Sequence, residues 1–85
     1  MTRICLFDRR FGASVDEWPE SAILPRVTRD GTVYRRHLLS VLFSPQAAYE
    51  AFVYADCTLT PAEEFKVFEA LFPNRGGAFQ IDPAD

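Results

Sequence analysis

SPQAAYEAFVYAD, residues 44–56, has two readings, and the fold class follows from the choice between them. Ser44 before Pro45 is a helix start, an N-cap followed by proline at the first helical position. Gln46, Ala47, Ala48, Glu50 and Ala51 behind it are good helix formers. The end of the stretch, FVYAD, is β-branched and aromatic enough for a strand. Weighing these, the spacing predicts a helix over residues 45–55. On the N-terminal side the apolar run LLSVLF, residues 38–43, either extends a preceding strand or forms one of its own.

A clearer helix follows. In TPAEEFKVFEALF, Thr60 and Glu63 form a capping box and Pro61 takes the first helical position. Phe65, Phe68, Leu71 and Phe72 make an apolar stripe, with Val67 beside them and Glu63, Lys66 and Glu69 on the polar side. Pro73-Asn74 and Gly76-Gly77 end it. Upstream, RICLF at 3–7 reads as a strand buried on both faces. Residues 8–22 show no clear period and read as a loop that contains Trp18. AFQI, 78–81, is a last short strand, and DPAD a frayed acidic tail. The expectation is an α+β fold: one small domain over 1–85, with a mostly antiparallel sheet, a β-hairpin and two helices packed on one face.

The hairpin is RVTRDGTVYRRH, residues 26–37, built around Asp30-Gly31. A two-residue turn would set Arg26 against Arg35, and like charges directly opposite are destabilising. A three-residue Arg29-Asp30-Gly31 loop pairs Val27 with Val33 and sets Arg26 across from Tyr34, so the three-residue turn is expected.

Charge sharpens interest in this segment. The chain carries −3 overall, yet residues 1–37 hold seven arginines against five acids, while residues 38–85 hold Lys66 and Arg75 against seven acids. Eight of the nine basic residues are arginine, a bias that a GC-rich genome also produces and that suits planar recognition of carboxylate or phosphate. The candidate partner-binding residues are Arg26, Arg29, Tyr34, Arg35 and Arg36 of the hairpin, then Trp18. Their bland alternative is a solvated hairpin whose arginines pair with Asp16, Glu17 or Glu20, and a Trp18 that pins its loop to the core. The twelve aromatics are a heavy load for 85 residues, filling a Phe-rich core or facing a partner or a second copy of the chain.

Other chemistry finds little footing. Cys5 and Cys57 are too few for a disulfide framework, and with one histidine there is no metal-ligand set. A Cys–His nucleophilic pair between His37 and either thiol has no local support, and adjacent Glu63 and Glu64 point apart on a helix. Helix-turn-helix DNA reading fails because Glu63, Glu64 and Glu69 would repel phosphate. NRGG, 74–77, is a helix stop rather than an RGG segment. The acidic residues of the second half read as solvated helix faces before they read as a surface for a basic partner. No cofactor is expected, nor enzymatic activity. With no leader-like start and no long apolar run, a cytoplasmic protein is expected, without a membrane contact. The functional expectation is a small protein–protein interaction module, an inhibitor or adaptor of phage or mobile-element type. Nucleic-acid binding through the arginine hairpin is the alternative, and a homodimer would also account for the aromatics.

Overall fold

A computed structural model describes residues 1–74 and 77–82. In chain order its elements are β1 (Thr2–Asp8), β2 (Gly12–Trp18), β3 (Arg26–Arg29), β4 (Thr32–Ser44), β5 (Ala47–Ala55), α1 (Pro61–Leu71) and β6 (Ala78–Ile81). A 3-10 turn at Glu20–Ala22 lies between β2 and β3.

Residues 44–56 are therefore a hairpin turn and a strand, which overturns the expected helix over 45–55. β5 pairs antiparallel with β4 from Arg35↔Ala55 to Ser44↔Ala47, with a bulge between Leu42 and Ser44. The side-chain period is two: Tyr49, Ala51, Val53 and Ala55 share one face of the sheet, and Glu50, Phe52 and Tyr54 the other. Helix propensity of Ala, Gln and Glu is worth tenths of a kcal/mol per residue; burying Val53, Tyr54 and Ala55 is worth roughly 1.5–3 kcal/mol for each large side chain, and decides. Ser44-Pro45 serves the turn instead of a helix start, with the Ser44 hydroxyl accepting from the Gln46 amide at 3.4 Å. LLSVLF is the second half of β4, not a separate strand.

The sheet order is β2-β1-β5-β4-β3, and β6 pairs with β4 beyond β3 on the same outer edge. β1 and β5 are parallel; the remaining pairs are antiparallel. The result is a curled, mostly antiparallel mixed sheet with one α-helix among the described residues, in place of the expected two helices packed on one face. Residues 8–22, expected as loop, contain β2, whose Ala13 and Val15 alternate too weakly with polar neighbours to announce a strand.

The sheet buries both faces. On one, Cys5, Phe7, Leu39, Val41, Val53 and Ala55 meet Val67, Phe68 and Leu71 of α1. Aromatic rings extend this layer: Phe68 stacks on Phe79 at 4.7 Å and lies 5.8 Å from Phe72, and Phe43 bridges Tyr49 and Phe72. Most of the phenylalanine load is therefore core, as the Phe-rich reading had it. On the other face, Ile4, Trp18, Tyr34 and Tyr54 form a second cluster with Leu6, Val27 and Phe52. The crossover from β2 to β3 closes it, with the Tyr54 hydroxyl donating to Leu24 O at 2.6 Å and Arg36 donating to Ile23 O. The helix start reads as expected. The Thr60 hydroxyl accepts from Glu63 N, the Glu63 carboxylate accepts from Thr60 N, and Pro61 opens the helix. Asn74 follows it with φ 63°, whereas Arg75, Gly76 and the tail residues 83–85 lie outside the described residues.

Candidate functional site

The arginine hairpin turns through two residues, not three. Asp30 (φ 50°) and Gly31 (φ 80°) both take the left-handed conformation that matches the twist of the flanking strands. The register is Arg26↔Arg35, Val27↔Tyr34, Thr28↔Val33 and Arg29↔Thr32. The like-charge pair that argued against this turn is present, on exposed side chains where water screens it. Burying Val27 and Tyr34 together in the second cluster outweighs a repulsion of roughly 0.2–1 kcal/mol.

That register divides the candidate residues between two faces. Arg26 and Arg35 project on the helix side of the sheet; Val27, Arg29, Tyr34 and Arg36 project on the side of the crossover. Trp18 ends β2 rather than sitting in a loop and is only 7% exposed. Its ring lies 4.9 Å from Tyr54, and its indole N–H donates to Asp16 at 3.0 Å. That bond, with a second from the Glu17 amide, holds the Asp16 carboxyl below its ordinary range. The Arg29 guanidinium covers the same indole at 5.0 Å, although β2 and β3 stand at opposite ends of the strand order. Only a strongly curled sheet permits that contact. Arg36 is similarly spent, over the Phe52 ring at 5.3 Å.

Tyr34 is 6% exposed and donates its hydroxyl to Asp8 Oδ2 at 3.2 Å. Asp8 also accepts from the Arg10 backbone N–H at 2.7 Å. The amide bond is the main cause of its lowered pKa; the Arg10 side chain and Tyr34 add to it, against desolvation. Burial, then the Asp8 bond, pushes the Tyr34 phenol upward. The two aromatics foreseen as contact surface are thus packed and hydrogen-bonded, while Arg26, Arg29 and Arg35 remain exposed. None of the three makes an ion pair among the described residues, where the pairs are Arg9–Glu63 and Arg10–Asp8.

Strand directions assemble a second group that the sequence did not announce. The ends of β1, β3 and β5 and the start of β4 fall at one end of the sheet. This brings the β1–β2 turn, Arg9-Arg10-Phe11, beside the β3–β4 turn. Phe11 is 84% exposed at the tip, with the Arg10 guanidinium 5.4 Å from its ring centre. Between the turns lies a cleft of about 280 Å³, bordered by Arg10, Phe11, Arg29, Asp30 and Tyr34 above Asp8. Arg9 points the other way and clamps Glu63 at 2.8 Å and Thr58 O at 3.0 Å, tying the turn to the start of α1. A signal for Phe11 existed: DRRFG closes a buried strand with an Asp and a Gly, so its phenylalanine had to sit in a turn.

Among the described residues no three His, Cys, Asp or Glu groups gather as a metal set, and no helix is long and apolar enough to cross a membrane. Both thiols are held protonated: burial pushes Cys5 up to about 11, and burial with the Asp56 carboxylate raises Cys57. Comparison with protein-family models, curated proteins and solved structures finds no match.

Proposed function

We propose that the protein acts by binding another protein, as an inhibitor or adaptor does, through the rim where the two hairpin turns meet. The observation that carries this reading is Phe11, a large apolar side chain 84% exposed on a turn with the Arg10 guanidinium against its ring. Aromatic and arginine side chains are the residues that dominate protein interfaces. Asp8 supports the turn from beneath, so the loop that presents Phe11 is preorganised and loses little entropy on binding. Arg10 and Arg29 border the adjoining cleft and suit carboxylates on a partner segment that also offers an apolar side chain. Trp18 and Tyr34 enter this reading as supports of Arg29 and Asp8 rather than as contact surface. Tyr34 offers no stacking face to a base, so nucleic-acid binding by the hairpin is the weaker alternative.

The test is capture of partners from lysate of the source organism, with and without nuclease, by the wild-type chain and by Phe11→Ser. The proposal expects a protein that survives nuclease treatment and whose recovery falls at least tenfold with Phe11→Ser at an unchanged melting temperature. Recovery that depends on nucleic acid, or that ignores Phe11, contradicts it. Sedimentation at several concentrations separates self-association from binding to a different protein.

A further inference from the structure

The two outer edges of the sheet differ in length. On one side β3 and β6, four residues each, divide the edge of β4 between them. On the other, β2 runs for seven residues and pairs only with β1 among the described residues. Its register continues unbroken from Thr2↔Trp18 to Asp8↔Gly12, and GASVDEW contains neither proline nor lysine. Bulges, prolines and lysines are devices that keep an edge from pairing with another strand, and β2 has none of them. Its two acids are answered inside the chain. Asp16 accepts from the Glu17 amide and the Trp18 indole, and Glu17 stands directly across from Arg3.

The direction of the backbone follows from one of those bonds. The Glu17 amide donates to Asp16 Oδ1 at 2.9 Å, so it is turned away from β1. In an antiparallel pair every second residue turns its N–H and C=O to the same side. Ala13 and Val15 therefore face outward with Glu17, and the backbone of neither has another hydrogen-bond partner among the described residues. Val15, at the middle of this row, is 37% exposed.

A row of this kind takes an extended backbone, and β2 is complementary to itself. Turned about a two-fold axis at Val15, it meets a second β2 over its whole length. Gly12 then lies opposite Trp18 of the second copy, Ala13 opposite Glu17, Ser14 opposite Asp16, and Val15 opposite Val15. The outward groups exchange bonds, two β-branched side chains meet at the centre, and no acid faces an acid. Moving the axis one residue on sets Asp16 against Asp16, and moving it one back leaves Glu17 and Trp18 beyond the partner strand. We propose that β2 is the interface of a two-fold dimer, in which the strands of two copies join about Val15 into one continuous sheet. Strand pairing alone makes a small interface, so the dimer dissociates reversibly. This edge does not depend on the Arg10–Phe11–Arg29 rim, and the proposal stands or falls separately from the function proposed above.

The deciding experiment is sedimentation equilibrium of the whole chain, with isotope-filtered NMR on a mixture of labelled and unlabelled copies. The chain should dimerise with a dissociation constant below about 1 mM. Filtered Overhauser contacts should join the Cα protons of Ser14 in one copy and Asp16 in the other, which are too far apart for such a contact within one strand. Val15→Pro removes a central N–H that the monomer does not use, and Val15→Lys sets two cations face to face. Each should weaken the dimer at least tenfold, and Val15→Lys should leave the melting temperature of the dilute monomer unchanged. A chain that stays monomeric at about 1 mM overturns the proposal and leaves the edge to a strand of a different protein. A dimer indifferent to both substitutions overturns it as well, and one abolished instead by Phe11→Ser would place self-association at the rim.

Discussion

Six of the described arginines divide among three tasks by what lies beneath each guanidinium. Arg29 and Arg36 lie over aromatic rings, Arg9 and Arg10 pair with carboxylates, and Arg26 and Arg35 make no ion pair among the described residues. The Arg9–Glu63 pair carries the clearest consequence for stability. Glu63 is held down at about 2 from an ordinary 4.5, by Arg9 foremost and then by its bonds to Thr60. A depressed carboxylate contributes stability that is complete above its unfolded value and disappears as the pH falls through the folded one. Glu63→Gln should therefore melt below the wild type at neutral pH. The gap should narrow as the pH drops below about 4.5 and close near 2. Melting curves across that range check it; a gap independent of pH would mean that the charge contributes nothing.

At the scale of elements, short-range signals and long-range pairing compete, and the outcome depends on which has burial behind it. The helix at Pro61–Leu71 was legible because capping box, proline and apolar stripe all agree. Residues 45–55 were not, since local propensity favoured a helix while the sheet supplies strand partners along both edges of β5. No short window of sequence contains that information. Ala48, exposed on β5, offers a direct check. Ala48→Thr should hold or raise stability by up to about 1 kcal/mol in a strand, whereas a helix would lose about 0.5 kcal/mol. The arginine hairpin went astray for a related reason: repulsion between Arg26 and Arg35 was visible in the sequence, but the burial of Tyr34 that fixes the register was not. With Gly31 at φ 80° and open space where a Cβ would stand, Gly31→Ala should cost about 1 kcal/mol through the backbone alone. Urea unfolding with an unchanged slope would confirm it, and a neutral result would contradict the two-residue turn.

For the whole molecule, the parallel pairing of β1 with β5 is the feature that positions everything else. It sets the two hairpin turns at one end of the sheet and leaves the crossover, residues 19–25, to cover one face. The curl of the sheet then lets Arg29 reach Trp18. The candidate residues of the hairpin could be picked out from charge alone. Their division between faces, and the exposure of Phe11 beside them, follows only from topology. The rim depends on Ala47–Ala55 being a strand between β1 and β4. Nuclear Overhauser contacts across these strands test that claim most directly. Short interstrand backbone contacts should join Leu39 to Ala51, His37 to Val53, and the residues around Cys5 to those around Val53. Contacts between residues three apart along 45–55, without those cross-strand partners, would restore the helix and dismantle the rim.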